Sequence, residues 1–165
     1  MLKTSVLLAF VLMAVAFFAC KKEVPYDSVT QLEIDDEIIA KYLVDSAVTM
    51  TKHNSGLYYK IIRPGEGAQV GQTDTIFGNY TMKILKDSVL LSKSVDSTFR
   101  FTLPGYFEGW KIGVSLIKVG GSIRLIVPSP LAYQQREVVS PKIAPNSILD
   151  ITLDIDSVKP KNTND

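Results

Sequence analysis

The residues best suited to chemistry in this sequence are aromatic, and they gather between Phe101 and Pro128. That stretch holds the chain's single tryptophan, Trp110, and five of its ten glycines. Val114 and Ile117 follow Trp110 at helical spacing, which predicts a short helix with one apolar face. An indole at the start of such a helix, with aromatic residues in the preceding loop, would line a dry concave pocket. By spacing alone, plain core packing is the commoner fate of such residues, so both interpretations stay open.

Residues for metal or redox chemistry are sparse. His53, the only histidine, lies in a polar segment with no neighbouring His or Cys, so no zinc site is expected. Cys20 is the only cysteine, which excludes an internal disulfide. Three aspartates (Asp150, Asp154 and Asp156) alternate with apolar residues, so we expect a solvated row on one face of a strand rather than a calcium loop. The sequence therefore predicts no metal ion and no other cofactor.

Charge and length narrow the class of protein. The 165 residues fit one globular domain with additional segments. The chain has 18 Lys and Arg against 17 Asp and Glu, and Lys3 is the only charged residue before Cys20. The part from Cys20 onward is therefore formally neutral, which argues against nucleic acid as the main partner.

The N-terminus has the pattern of an export signal. Lys3 precedes an apolar run from Ser5 to Ala19, which is too short to span a bilayer comfortably and suits a secretory signal. Cys20 follows directly, and this arrangement resembles a bacterial lipoprotein signal, with residues 1–19 removed and the Cys20 thiol carrying lipid. An ordinary cleaved signal and an uncleaved anchor are the alternatives.

A helix is predicted between the signal and the domain. Thr30 and Glu33 have the spacing of a capping box, and apolar residues then recur at helical spacing to Asp45. We expect a helix from Gln31 to Asp45 whose apolar stripe docks on the domain or joins a second copy. That stripe contains Ile34, Ile38 and Tyr42 and is broadened by Ile39 and Leu43.

The rest of the chain is dominated by predicted strands. A polar linker from Val44 to Ser55 leads into segments rich in β-branched and aromatic residues, separated by turn signals. Many strands with two helices indicate an α+β fold with an antiparallel sheet. The predicted strands are Leu57–Ile62, Thr75–Leu85, Val89–Leu91, Phe99–Leu103, Ser122–Val127 and Leu149–Asp156.

From about Gly56 to Val158, the order of motifs resembles the FKBP family of peptidyl-prolyl cis-trans isomerases. The resemblance implies a twisted antiparallel β-sheet curled around one short α-helix, preceded here by the N-terminal helix. It divides the chain into a signal (1–19), a tether with the helix (20–55), the FKBP-type domain (56–158) and a disordered tail (159–165). The matching motifs are Ser55-Gly56-Leu57-x-Tyr59, Pro64-Gly65-x-Gly67, Tyr80-Thr81, Phe101-x-Leu103, Gly109-Trp110-x-x-Gly113-Val114, Val119-Gly120-Gly121, Leu131-Ala132-Tyr133 and Ile143-x-Pro145-Asn146-Ser147-x-Leu149.

The resemblance also implies site residues. Trp110 would form the floor under a proline ring, the backbone N–H of Phe107 would bind a substrate carbonyl, and the Tyr133 hydroxyl would hydrogen-bond the substrate. Without a gap, Leu90-Leu91 stands where the family has Phe-Asp. A shift by one residue places Leu91-Ser92 there instead, and an insertion would bring Val95-Asp96 into register. With those three residues, the implied substrate-binding set includes Tyr80, Leu90, Leu91, Phe101, Tyr106, Ile143 and Ile151.

The function implied by the resemblance is peptidyl-prolyl cis-trans isomerisation that assists exported or envelope proteins. Its partners would be proline-containing polypeptides, a membrane reached through the lipid, and macrolide inhibitors. The expected location is the cell envelope, on the periplasmic side of the outer membrane. One alternative is a catalytically weak or inactive FKBP-like binding or chaperone module, including a gliding-motility or envelope-assembly accessory role. A structural lipoprotein whose pocket is plain core is another.

Overall fold

A computed structural model describes residues 25–94 and 99–161 of the chain. The N-terminal signal, Cys20 and the Val95-Asp96 pair lie outside the described residues. Within these two ranges, nine helices and strands follow one another, with short 3-10 turns at Leu103–Gly105 and Ser129–Leu131. They are α1 (Ser28–Asp45), β1 (Thr51–Lys52), β2 (Tyr58–Arg63), β3 (Thr75–Ile84), β4 (Leu90–Lys93), β5 (Arg100–Thr102), α2 (Glu108–Ser115), β6 (Ser122–Val127) and β7 (Leu149–Lys159).

The strands form one antiparallel sheet in the order β1-β2-β6-β7-β3-β4, with β5 paired to β3. Side chains alternate between its two faces. Leu125 and Val127 of β6 join the larger core cluster with Trp110, whereas Ile126 between them packs with Ile39 of α1. The sheet therefore has α2 on one face and α1 on the other, and the predicted α+β fold is confirmed.

The predicted strands correspond closely to the observed ones. Strand β7 continues to Lys159, which pairs with Thr75, so regular structure extends one residue into the predicted tail. Strand β1 lies in the segment that was predicted to be a polar linker, and it pairs with β2 at the sheet edge. Two residues are too short a signal for alternation to reveal, and pairing with β2 is what holds them extended.

Helix α1 starts earlier than predicted. It begins at Ser28, and its N-cap is Asp27 rather than Thr30. The Asp27 carboxylate accepts hydrogen bonds from the backbone N–H groups of Val29 (2.9 Å) and Thr30 (3.3 Å). The Thr30 hydroxyl also donates to this carboxylate, and these bonds lower the pKa of Asp27. An aspartate that reaches free N–H groups in this way is a strong cap, so the capping-box prediction was wrong.

One side of the predicted apolar stripe of α1 docks on the sheet. Ile39 is buried, with Tyr42 and Leu43 packed beside it, whereas Ile34 and Ile38 are each 48% exposed and the buried Asp35 was not expected. Asp36 contacts Lys52 and accepts a hydrogen bond from the Tyr58 hydroxyl at 2.7 Å. The helix is thus rotated so that these two acids meet partners on the domain, which apolar periodicity could not indicate.

The aspartate row on β7 is only partly solvated. Asp156 is exposed, as expected, but the side chain of Asp150 is 18% exposed and accepts two hydrogen bonds of 2.9 Å from Arg124. Arg124 also donates to the Tyr42 hydroxyl of α1 at 3.1 Å. The prediction was therefore wrong for Asp150, because the covering helix makes this part of the face an interior contact.

Among residues 25–94 and 99–161, no helix is both long enough and apolar enough to cross a membrane.

Candidate functional site: the aromatic cluster around Trp110

Helix α2 places Trp110 at the centre of the larger core cluster. A 3-10 turn that contains Pro104 leads into Phe107, the N-cap residue of α2. Gly109 and Gly113 let the helix approach β6 closely, because a Cβ atom at either position would overlap the side chain of Val127 or Leu125. The indole is consequently buried, with only 1% of its surface exposed.

Four aromatic rings surround the indole. The rings of Tyr80, Phe101 and Phe107 meet it edge-on, whereas Tyr106 lies more nearly parallel to it, at an interplanar angle of 30°. Such pairs add about 0.5–1.5 kcal/mol beyond the burial of their area. The centroid distances to Trp110 are 5.4 Å for Tyr80, 5.5 Å for Phe101, 4.7 Å for Tyr106 and 5.9 Å for Phe107.

Tyr133 completes the cluster through its contact with Phe107. It lies in the segment after the second 3-10 turn, and its ring meets that of Phe107 edge-on with centroids 5.4 Å apart. Burial first, and then the nearby Tyr80 hydroxyl, raise the pKa of Tyr133, which the Arg136 charge only partly offsets. Burial and the Tyr80 and Tyr133 hydroxyls likewise raise the pKa of Tyr106. Both phenols therefore stay protonated at neutral pH and remain hydrogen-bond donors.

Two further donors in the cluster have no partner within the described residues. The Trp110 Nε1–H group is buried and makes no hydrogen bond there. The Phe107 backbone N–H, at the start of α2, likewise has no acceptor among the described residues, although its carbonyl oxygen accepts from Trp110 and Lys111. The Tyr80 hydroxyl, by contrast, already has a hydrogen-bond partner, because it lies 2.7 Å from the Ser92 hydroxyl. The described residues of the cluster therefore present hydrogen-bond donors, the kind of group that a carbonyl oxygen accepts from, and include no acid–base pair.

Leu90 and Leu91 have different surroundings. The β3–β4 register pairs Met82 with Ser92 but Lys83 with Leu90, so Leu91 is the extra residue of a β-bulge. Leu91 packs against the larger core cluster, whereas Leu90 is 49% exposed because the bulge breaks the alternation. A role of either residue in substrate binding stays a prediction.

Ile151 and Ile143 are fully buried and present no surface to a ligand here. Ile151 lies on β7 in the core cluster, opposite Met82 and Leu125. Ile143 lies in the loop before β7, where it exchanges two backbone hydrogen bonds with Val138, of 2.9 and 3.0 Å. In this structure Ile151 is part of the core beneath the site, and Ile143 is enclosed within its own loop.

Phe99 belongs to the cluster but was missing from the predicted site residues. Its ring stacks on Phe101 at 5.4 Å and lies 4.6 Å from Tyr80. The signal was present in the sequence, because Phe99 and Phe101 are two residues apart on an extended segment and so share a face.

A separate cleft of about 520 Å³ runs along the other side of α2. It contains none of the aromatic residues described above and is crossed by the Glu108–Lys111 ion pair. Its lining, which includes Val70, Leu103 and Ile112, gives it no group that the predicted chemistry requires.

Relatives of known name share this part of the chain. A family model described as FKBP-type peptidyl-prolyl cis-trans isomerase matches residues 66–155. FkpA of Escherichia coli K12, which is named an FKBP-type peptidyl-prolyl cis-trans isomerase, is 34% identical over 113 residues, or 65% of this chain and 39% of FkpA. The outer membrane protein MIP of Legionella longbeachae is 36% identical over 111 residues, or 64% of this chain and 45% of MIP. The chain spans less than half the length of either relative.

Solved structures agree with the family match. The crystal structure of FkpA from Escherichia coli aligns with a TM-score of 0.66 at 28% identity, covering 81% of this chain and 63% of that one. AtFKBP13 aligns with a TM-score of 0.58 at 23% identity, covering 67% of this chain and 99% of that one, which supports the fold. Because the family model spans more than half of the residues and the sheet and α2 are arranged as in these structures, the chain belongs to the FKBP-type peptidyl-prolyl cis-trans isomerase family.

Proposed function

We propose that the chain is a peptidyl-prolyl cis-trans isomerase that assists the folding of exported or envelope proteins. The observation that carries the proposal is the convergence of Trp110, Phe107 and Tyr133 in one aromatic cluster of a chain that belongs to this family. The clients would be polypeptide segments that contain proline, and macrolide inhibitors would compete for the same pocket.

The proposed mechanism needs no nucleophile. Rotation about an X–Pro bond meets a barrier of about 18–20 kcal/mol because the twisted amide loses its resonance. The planar amide is the more polar state, so a site that excludes water disfavours it relative to the twisted state. The Phe107 N–H and the protonated Tyr133 hydroxyl would donate to the carbonyl oxygen as the bond twists. The aromatic side chains would hold the proline ring.

Turnover by the full-length chain, purified in mild detergent, tests this proposal. Tyr133→Phe removes one donor to the substrate, which is worth about 1 kcal/mol, so kcat/KM for a prolyl peptide should fall about fivefold. Tyr42→Phe is the matched control, because it removes a phenol of the same kind from the opposite face of the sheet. Equal rates in wild type and Tyr133→Phe would contradict the assigned role of Tyr133.

A binding module is the second candidate, and the covered indole favours it. Trp110 is 1% exposed with the Tyr106 ring against it, so a proline ring would have to displace Tyr106 to reach the floor. Because Trp110 is the only tryptophan, its fluorescence reports on this site alone. A peptide-induced change in emission without turnover would identify a binder. Absence of both responses would eliminate both candidates.

We also propose that Cys20 carries a lipid that tethers the domain at the periplasmic side of the outer membrane. The support is the apolar run that ends at the only cysteine, together with the name of the relative MIP as an outer membrane protein. Cys20→Ser should move the protein from the membrane to the soluble fraction, and mass spectrometry of the wild-type N-terminal peptide should show an acylated cysteine. Membrane association that persists in Cys20→Ser would refute the lipid anchor.

A further inference from the structure

A buried carboxylate on helix α1 reaches the turn that precedes Tyr133. Asp35 is 1% exposed, and its Oδ2 atom accepts hydrogen bonds from both the backbone N–H and the hydroxyl of Ser129, each 2.6 Å long. Its Oδ1 atom accepts from the Gln31 side-chain amide at 2.7 Å. Ser129 is itself fully buried. Two residues that are 94 positions apart in the sequence thus form a completely enclosed contact.

The Asp35–Ser129 contact fixes the geometry of the residues that it joins. An enclosed carboxylate is costly unless its oxygens are paired, and here both oxygens have donors. The N–H and the hydroxyl of Ser129 both donate to the same Oδ2 atom at 2.6 Å, so the Ser129 backbone is held firmly in one orientation.

The orientation of Ser129 determines the backbone around Tyr133. The Ser129 carbonyl accepts hydrogen bonds from the N–H groups of Ala132 (3.0 Å) and Gln134 (2.9 Å), the residues on either side of Tyr133. The Gln134 carbonyl in turn accepts from the Asn146 N–H at 2.8 Å and closes the following loop. A rotation of Ser129 would therefore disturb the backbone that carries Tyr133.

We propose that Asp35 is a positioning residue for the site: through Ser129 it holds the turn that carries the Tyr133 hydroxyl opposite Phe107. The predicted effect of Asp35 on the catalytic rate rests on the function proposed above. Its predicted effect on the Ser129 turn does not. The N-terminal helix, which lies on the opposite face of the sheet, then acts on the site without touching a substrate.

Asp36 provides a control for the simpler explanation that Asp35 only fastens α1 to the domain. Asp36 is the next residue of the same helix, and it also binds the domain, but through Lys52 and Tyr58 and not through the Ser129 turn. Asp35→Ala removes the acceptor for Ser129, Asp35→Asn keeps an acceptor oxygen, and Asp36→Asn weakens only the other attachment.

The experiment has one readout that does not depend on catalysis. Amide hydrogen exchange of Ala132 and Gln134 in the full-length chain should accelerate at least tenfold in Asp35→Ala. It should return close to the wild-type rate in Asp35→Asn and stay unchanged in Asp36→Asn. Unchanged exchange at both amides in a folded Asp35→Ala would overturn the proposal. Equal acceleration in Asp36→Asn would also overturn it, because it would show that Asp35 only attaches α1 to the domain.

The second readout is kcat/KM in a cycle of Asp35→Ala, Tyr133→Phe and the double variant. If Asp35 acts through the Tyr133 hydroxyl, the losses are not additive, and Asp35→Ala costs much less activity once that hydroxyl is absent. Additive losses would refute the coupling. If the wild type has no turnover, the proposed function fails while the exchange result still decides whether Asp35 holds the turn.

Discussion

At the scale of single residues, the relation between Tyr106 and Trp110 shapes the candidate site most. The family resemblance implies an indole that a proline ring can reach, but the Tyr106 ring lies 4.7 Å from the indole at 30°, and only 1% of Trp110 is exposed. The resemblance placed Tyr106 only in the substrate-binding set, with no prediction of its orientation. Whether the larger ring would line the pocket or cover its floor depends on its rotamer, which the neighbouring rings decide.

Replacement of Tyr106 by valine tests this covering role. Tyr106→Val removes the ring beside the indole and should leave part of Trp110 open to water. We expect a red-shifted emission and at least a twofold larger quenching constant with acrylamide. Phe99→Leu is the control, because Phe99 contacts Tyr80 and Phe101 rather than the indole. An unchanged quenching constant in a folded Tyr106→Val would mean that other groups shield the indole.

At the scale of elements, helix α1 shows how polar contacts accompany the docking of one side of a broad apolar stripe. Ile39 of that stripe is buried and Ile34 and Ile38 are half exposed, while the unexpected buried position is Asp35. Ile39 packs with Ile126 and Tyr58, and the acids Asp35 and Asp36 find donors on the domain. The helix was predicted correctly, but its orientation depends on partners that no local pattern reveals.

Two neighbouring isoleucines on α1 should therefore differ in their effect on stability. Ile39 is fully buried, so Ile39→Ala should lower the free energy of unfolding by about 2–4 kcal/mol through lost burial and a residual cavity. Ile38 is 48% exposed, so Ile38→Ala should change it by only about 0.5 kcal/mol. Urea denaturation followed by circular dichroism measures both. Similar losses in the two variants would contradict the observed docking face.

At the scale of the whole molecule, the sheet couples the two helices because side chains of its central strands pack on both of its faces. Strand β6 sends Leu125 and Val127 to the Trp110 cluster and Ile126 to α1. Contacts across the edge of the sheet, such as Asp36 with Tyr58, then fasten α1 to the same unit. We expect α1 and the aromatic cluster to unfold in one cooperative transition.

The attachment of α1 through Asp36 and Tyr58 should weaken at alkaline pH. Burial and the Asp36 carboxylate raise the pKa of Tyr58 from 10.0 to about 12. Since the phenol ionises first in the unfolded chain, its contribution to stability is complete below about pH 10 and is lost as the pH rises through about 12. The urea midpoint of the wild type should fall over this range, and the midpoint of Tyr58→Phe should fall less steeply.

Asp36→Asn should also flatten this dependence, because the carboxylate is one cause of the raised pKa. Identical slopes for wild type and Tyr58→Phe between pH 10 and 12 would rule out the linkage.

Local and periodic features of the structure could be predicted from the sequence. Alternation in β7, the apolar face of α2 and the ordered motifs from Gly56 onward predicted the sheet, the central helix and the aromatic residues of the site. These signals are readable because they depend on residues close together in the chain, where the periods of a strand and a helix differ.

Only the tertiary structure decided the face on which α1 docks, the bulge at Leu91, the cover of Tyr106 over Trp110, and the Asp35–Ser129 contact. Each of these depends on groups that come together across the fold, and the Asp35–Ser129 pair is separated by 94 residues. A buried polar contact between such distant positions leaves no periodic trace in a single sequence, since its free energy exists only once the helix and the turn have met.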